Sequence, residues 1–201
     1  MYRSVLKIGF IGTENVGKTL LCNKISGRKL ERGYIATIGV DLIIKYLNIN
    51  DEKISVLLWD YAGKKIFESI VKRYTTKCDI LFFCYSANDY SSFEYIFNKI
   101  NEFNINNLIN NKTVVIIATK TDSEDVHENY DKWFLKLDQI LKDKKYTFFK
   151  TSVYNDIGID ELNNQIYNWC NIKINNKETY ASDIVPKINK NKCCKHMCII
   201  T

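Results

Sequence analysis

The clearest chemistry in this chain is carried by Gly12, Gly17, Lys18 and Thr19. They match the pattern G-x-x-x-x-G-K-[ST], and an apolar run before them and a helical pattern after them supply the strand–loop–helix context that the pattern requires. Glycines let backbone N–H groups turn inward around a phosphate, and the helix N-terminus adds partial positive charge. The stretch therefore predicts a nucleotide-phosphate site, in which the lysine reaches the terminal phosphates and the threonine hydroxyl holds Mg²⁺. The loop residues predicted to line the same site are Glu14, Asn15 and Val16.

A second motif supplies the rest of the predicted phosphate site. Asp60 ends a predicted strand, and Gly63 follows three positions later. A carboxylate at this strand end can hold the Mg²⁺ shell, and the Gly63 N–H can contact a γ-phosphate because no Cβ blocks the approach. A lone D-x-x-G is common in turns, so the assignment depends on its position one hairpin after the glycine-rich loop.

Two further stretches predict a pocket for the base. Thr119, Lys120 and Asp122 directly follow an apolar strand pattern. An aspartate here can accept two hydrogen bonds from the guanine edge, a donor pair that adenine lacks, while the lysine stem lies over the ring. The alternative is a solvated loop at a strand end. The less specific stretch contains Ser152 and Val153, where a backbone N–H can meet the guanine carbonyl oxygen.

The elements that position these motifs alternate between strand and helix, which predicts an α/β fold with a mostly parallel sheet. Apolar runs and period-two alternation predict strands at 5–11, 40–47, 53–59, 80–84, 114–118 and 146–149, the second and third forming a hairpin. Helical spacing predicts helices at 18–26, at 91–103 with Ser91 or Ser92 as the N-cap, around 133–141 and around 162–169.

Length and composition restrict the function further. The 201 residues suit one domain over 1–170, followed from Asn171 by a polar flexible tail over 171–201. No apolar run approaches the roughly 20 residues of a membrane span. The seven cysteines do not form a disulfide framework, so we expect reduced thiols in a cytoplasmic setting. The net charge of +6 lies largely in the tail, which favours membrane attraction over nucleic-acid binding.

In order and approximate spacing these motifs resemble the Ras superfamily, and within it the Rab family, over about residues 5–170. The segments 38–42 (IGVDL), 72–74 (KRY) and 93–97 (FEYIF) look like Rab rather than Ras or Rho. The resemblance implies the P-loop small GTPase fold, a six-stranded mostly parallel sheet with helices on both faces. It implies a GTP/GDP and Mg²⁺ switch for vesicle or organelle traffic.

The resemblance also implies roles for two mobile loops, which we call the first switch (30–41) and the second switch (61–76). In this family the first switch closes on Mg²⁺ through a threonine, here Thr37, when GTP is bound, and it brings Tyr34 toward the nucleotide. Effectors, an exchange factor and a GTPase-activating protein are expected to bind these two loops.

The chain departs from the family where hydrolysis is concerned. Lys64 follows Gly63 where the family has a glutamine that orients the attacking water, and a charged ammonium only donates hydrogen bonds. We therefore expect catalysis by Gly63, Thr37 and Lys64 to be slow. Glu14 is also unusual, and we expect either an ion pair with Lys64 across the γ-phosphate region or two side chains that face solvent. A scaffold that binds GTP without hydrolysing it, and an ATP-using P-loop enzyme, are the competing functions.

Three departures concern the base. Thr119 replaces the common asparagine, and Leu30 lies about where an aromatic residue often covers the guanine. Tyr154 stands where a lysine is usual after the Ser152-Val153 stretch, and it can replace part of the missing cover. We expect nucleotide exchange to be faster as a result.

The C-terminus reads Cys198-Ile199-Ile200-Thr201, the pattern of a prenylated cysteine. One lipid chain binds membranes only marginally, so a second signal is needed. Palmitoylation of Cys193 or Cys194 and the lysines around them are candidates, which places the protein on the cytosolic face of a membrane. The alternatives are a crowded zinc-ligand set that includes His196, and an unmodified tail.

Overall fold

A computed structural model of the protein describes residues 4–30, 33, 36–141 and 146–184. Its centre is one six-stranded sheet in the order β2-β3-β1-β4-β5-β6. The strands are β1 Val5–Ile11, β2 Val40–Ile49, β3 Glu52–Tyr61, β4 Ile80–Ser86, β5 Thr113–Thr119 and β6 Tyr146–Lys150. All neighbouring strands pair in parallel except β2 and β3, so the sheet is the mostly parallel one that the sequence predicts.

Within these described residues, five α-helices cover the sheet: α1 Lys18–Ser26, α2 Glu68–Thr75, α3 Tyr90–Ile105, α4 Asp138–Leu141 and α5 Ile159–Ile184. On one face α1 and α5 bury an apolar cluster that contains Leu21 and Leu162. On the other face α3 and α4 bury a second cluster, which contains Phe103 and Leu141. Both faces of β4 are therefore covered, which explains why its sequence is a continuous apolar run rather than an alternating one. Among the helices in the described part of the chain, none combines the length and hydrophobicity needed to cross a bilayer.

The hairpin joins β2 to β3 in the predicted place, with a tighter turn than predicted. Asn50 and Asp51 both have positive φ, 49° and 63°. Two consecutive residues in this conformation form the turn whose twist matches that of the flanking strands, and asparagine and aspartate tolerate it well. The sheet can therefore continue to Ile49 and resume at Glu52.

Two sequence predictions about elements were wrong in detail. The N-cap of α3 is Asp89, which accepts a hydrogen bond from the Ser91 N–H at 3.0 Å. Ser92 instead accepts from the Ser86 N–H at 2.9 Å, inside the core. The stretch predicted as one helix near 133–141 begins as a 3₁₀-helix over Tyr130–Leu137.

The end of α5 also differs from the prediction of irregular chain from Asn171. Helix α5 continues to Ile184, and Ile174 is still buried against the sheet. Cys170 and Ile174 are four residues apart, so both face the core. The division into a domain over 1–170 and a lipid-anchored tail over 171–201 stays a prediction.

The core predicts a large effect for Phe82→Ala. Phe82 lies in β4 with no exposed surface, and the centre of its ring lies 4.9 Å from the ring centre of Phe10 and 6.2 Å from that of Trp169. We expect the free energy of unfolding to fall by about 3–5 kcal/mol, because a cavity replaces the ring. Urea denaturation measures it. The control is Tyr167→Ala, at a side chain that is 41% exposed; an equal loss there would contradict the assignment.

Candidate functional site

A cavity of about 420 Å³ opens where β1, β3 and β5 end. Because parallel strands end at the same edge of a sheet, the loops that follow them meet there. Thirteen residues that the sequence predicts for the nucleotide site line this cavity: Glu14, Asn15, Gly17, Lys18, Thr19, Thr37, Gly63, Lys64, Thr119, Lys120, Asp122, Val153 and Tyr154.

The glycine-rich loop wraps around the ammonium group of Lys18. Lys18 Nζ donates to the Gly12 carbonyl oxygen at 3.0 Å and to that of Thr13 at 2.7 Å. Burial lowers the pKa of Lys18, against the opposing effect of the Asp60 charge. Gly17 has a φ of 94° and immediately precedes α1, so the helix N-terminus faces the cavity. A buried cation and a helix N-terminus together favour an anion such as phosphate.

Three oxygen-bearing side chains converge on one point beside this loop. The Thr19 hydroxyl donates to Asp60 Oδ2 at 2.6 Å, and the Thr37 hydroxyl donates to the same oxygen at 3.1 Å. The two hydroxyl oxygens lie 3.1 Å apart. Asp60 is fully buried, and its Oδ1 has no hydrogen-bond partner among the residues that the structure describes.

This arrangement fits Mg²⁺. One carboxylate and two hydroxyls are hard oxygen ligands, and Mg²⁺ characteristically takes few protein ligands and completes its shell with phosphate and water. Burial raises the pKa of the Asp60 carboxyl, which the hydrogen bonds from Thr19 and Thr37 oppose. A dication beside the unpartnered Oδ1 would satisfy this buried acceptor.

The second switch touches the glycine-rich loop at Gly63. A Cβ at this position would overlap the backbone nitrogen of Glu14, so only glycine allows the approach. Lys64 follows directly, is exposed, and lines the cavity mouth together with Glu14. Between these two described and exposed residues the structure forms no ion pair, so it agrees with the alternative in which both face solvent.

At the other end of the cavity, Thr119 joins the phosphate loop to the base loop. Its buried hydroxyl lies 2.5 Å from the Val16 carbonyl oxygen and 2.9 Å from that of Tyr85, and both distances suit a donated hydrogen bond. Lys120, with a φ of 55°, is half-buried, and burial lowers its pKa. Asp122 lines the same end of the cavity.

Several predicted nucleotide ligands do not line the cavity. Gly12 packs tightly against the sheet, because a Cβ there would overlap the Cys84 carbonyl oxygen. Val16 is buried and offers its carbonyl to Thr119. Ser152 is fully buried and accepts a hydrogen bond from the Asn155 N–H at 3.1 Å, so its side chain shapes the loop rather than the cavity.

Leu30 is half-buried outside the cavity lining, whereas Tyr154 is 69% exposed and lines it. The loop after β6 therefore brings an aromatic side chain, Tyr154, to the cavity lining. Tyr34 and the tail cysteines Cys193, Cys194 and Cys198 lie outside the described residues.

Four lining residues were missed from the sequence: Leu20, Asn23, Gly33 and Ala36. Leu20 and Asn23 are three apart on α1, directly after Thr19, so helical spacing could have placed both on the face beside the phosphate loop. Gly33 and Ala36 belong to the first switch, where no regular period indicates which residues face inward.

The fold and the glycine-rich loop around Lys18 together define a nucleotide-binding protein of the P-loop class. A sequence model of the Ras family matches residues 7–171, and the chain belongs to this family. It is 30% identical to the GTP-binding protein yptV5 of Volvox carteri over 161 residues, covering 79% of this chain and 78% of that protein. It is 26% identical to the Ras-related protein Rab-13 of Mesocricetus auratus, covering 96% and 97%. The Ras-related protein RABG3b of Arabidopsis thaliana is 37% identical over half of each chain.

These relationships make the chain a Rab-like small GTPase, since members of the family bind GTP and GDP and hydrolyse GTP. The sequence-based recognition of the family and of its fold is confirmed.

The Thr119 hydroxyl links the phosphate loop to the base loop, so we expect Thr119→Ala to change the rate of nucleotide release. Removing the hydroxyl leaves the buried Val16 carbonyl without this donor, which costs about 1–3 kcal/mol. We expect GDP to dissociate about tenfold faster, since the phosphate loop loses its tie to the base loop. Release of a fluorescent GDP analogue measures the rate. Thr119→Ser keeps the hydroxyl and should stay near the parent; fast release from both variants would implicate the lost methyl group instead.

Proposed function

We propose that the chain is a GTP/GDP switch for vesicle or organelle traffic, with slow intrinsic hydrolysis. The observation that supports it best is the convergence of Thr19 and Thr37 on Asp60, because it brings the first switch onto the phosphate loop. A switch that signals through the γ-phosphate needs such a contact, since effectors recognise the ordered loops.

Each side of the cavity has a separate task in this proposal. Lys18 and the glycine-rich loop bind the phosphates, and the Gly63 N–H contacts the γ-phosphate. Thr19, Thr37 and Asp60 hold Mg²⁺, which neutralises phosphate charge when bound. Asp122 reads the guanine edge, the Lys120 stem lies on one side of the ring, and Tyr154 covers it from the loop after β6.

Slow hydrolysis follows from the side chain at position 64. A water molecule that attacks phosphorus must be oriented by a group that can accept its hydrogen bond. The Lys64 ammonium donates only, so it neutralises phosphate charge without orienting the water. Related GTPases with glutamine hydrolyse GTP at a rate on the order of 10⁻⁴ s⁻¹ without a partner. We place this protein below that rate.

Lys64→Gln should raise the single-turnover rate of GTP hydrolysis by at least about tenfold, because an acceptor for the water is restored. The measurement uses the purified protein loaded with GTP and Mg²⁺. The matched control is Lys65→Gln, which removes a neighbouring exposed cation that does not line the cavity. A parent that already hydrolyses at the usual family rate would contradict the role of Lys64. A parent that stays inert in every variant would instead favour the scaffold that only binds GTP.

The base assignment predicts that Asp122→Ala weakens GDP binding by at least about 100-fold, since a buried polar contact to the base is lost. Displacement of a fluorescent GDP analogue by GTP and by ATP gives both affinities. Asp125→Ala is the matched control, at an exposed carboxylate outside the cavity lining. Equal competition by ATP in the parent protein would favour the ATP-using enzyme.

The two switches offer an apolar surface for effectors and regulators. Ile38 is 82% exposed and Ile66 is 78% exposed, and Leu42 and Ile70 are also exposed. Side chains of this size at the surface are characteristic of contact sites when they cluster. Both loops carry residues of the nucleotide site, so the surface can report which nucleotide is bound.

Membrane attachment through the tail completes the proposal. Prenylation of Cys198, with palmitoylation of Cys193 or Cys194 and the nearby lysines, would give the two signals that stable anchoring needs. The domain over 1–170 would then act at the cytosolic face of a membrane.

A further inference from the structure

Helix α3 carries a nearly buried lysine, Lys99, between two aromatic rings and two carboxylates. Lys99 is only 7% exposed, and its Nζ lies 5.9 Å from the ring centre of Tyr95 and 5.7 Å from that of Phe103. It donates to Glu102 Oε2 at 2.8 Å, one turn further along α3, and to Glu68 Oε1 on α2. A buried cation needs such partners, because removal of one leaves an uncompensated charge.

The partner Glu68 is the first residue of α2, and the ion pair favours the charged form of both groups. The hydrogen bond from Lys99 lowers the pKa of Glu68. Burial works against the charged form of Lys99, but the bonds to Glu102 and Glu68 outweigh it and raise the pKa of Lys99. The contact therefore persists as an ion pair around neutral pH.

The other contacts that the structure describes for α2 begin at Val71, which packs against the core, and at Lys72, whose Nζ lies 3.9 Å from Glu102 Oε1. Thr75, its last residue, is the one buried residue within this described helix. Near the same end, the Tyr74 and Trp59 ring centres lie 5.0 Å apart, and Lys112 Nζ donates to the Thr76 carbonyl oxygen at 3.0 Å. These contacts hold the carboxyl end of α2, whereas Glu68 holds the amino end, five residues after Gly63.

We propose that Lys99 is a positioning residue of the second switch. Its bond to Glu68 holds the start of α2, and through it Gly63 and Lys64, against the glycine-rich loop. The proposal rests on the nucleotide-switch function above. GTP needs the Gly63 contact and GDP does not, so release of this segment weakens GTP binding more than GDP binding. The competing role is purely structural, in which Lys99 only stabilises α3 through Glu102.

The test compares Lys99→Met and Glu68→Gln with the full-length parent. Fluorescent analogues of GDP and of non-hydrolysable GTP give two dissociation constants for each protein. We expect the ratio of the GTP-analogue constant to the GDP constant to rise by at least about fivefold in both variants. The double variant should show no more than the larger single effect, since both substitutions break one contact. Lys99→Arg keeps the positive charge, so its ratio of the two constants should stay near that of the parent.

Hydrogen exchange in the same proteins supplies a readout that does not depend on nucleotide affinity. We expect faster amide exchange at 63–74 in Lys99→Met and Glu68→Gln, with α3 unchanged in Glu68→Gln. Lys173→Met is the control, because Lys173 Nζ forms another ion pair, 2.5 Å from Asp79 Oδ2, just before β4 and so at the sheet edge opposite the cavity. Lys173→Met should lower the free energy of unfolding without changing the ratio of the two nucleotide dissociation constants.

Glu68 is partly exposed, so Glu68→Gln remains informative if Lys99→Met fails to fold. An unchanged ratio in folded variants, or equal weakening of both nucleotides, would overturn the positioning role. Unchanged exchange at 63–74 would overturn it as well. A parent protein that binds neither nucleotide would refute the proposed function, while the exchange data would still decide whether Lys99 holds the second switch.

Discussion

The buried carboxylate of Asp60 is the interaction on which the site depends. Asp60 is the second-to-last residue of β3 and has no exposed surface, and its carboxylate accepts hydroxyl hydrogen bonds from Thr19 at the start of α1 and Thr37 in the first switch. An ionised carboxylate without partners would be strongly unfavourable at this depth. The two hydroxyls offset part of that penalty, and Lys18 opposes the rise of the Asp60 pKa that burial causes. Three separate parts of the chain are held together as a result.

Close backbone approaches make this convergence possible. Gly12 lets β1 pass the Cys84 carbonyl on β4, and Gly63 lets the second switch reach the backbone of Glu14. A methyl group at either position would overlap these backbone atoms, so the two segments would have to move apart. The lack of a Cβ at these two glycines therefore shapes the cavity as much as the polar groups that line it do.

The motifs were predictable because each is a local rule about backbone and charge. Lys18 in the strand–loop–helix pattern and Asp122 after β5 line the cavity, and the buried carboxylate of Asp60 reaches it through the Thr19 hydroxyl. The prediction of a helix cap failed because two residues close in the sequence could both cap α3. Asp89 caps α3 instead of Ser91, since its carboxylate is already one residue outside the helix. Leu30, predicted beside the base, lies outside the cavity lining, whereas Tyr154, predicted as a replacement cover, lines it.

The sequence by itself determined the class of the protein, the order of the six strands and of four of the five described α-helices, and thirteen of the seventeen residues that line the cavity. Those properties depend on spacing along the chain. Only the tertiary structure decided which residues that are distant in the sequence come into contact. The Thr119 hydroxyl contacts the Val16 carbonyl oxygen, and Lys99 on α3 contacts Glu68 on α2. These contacts join residues 103 and 31 positions apart. They exist only once the packing of helices on the sheet has set the distances between side chains.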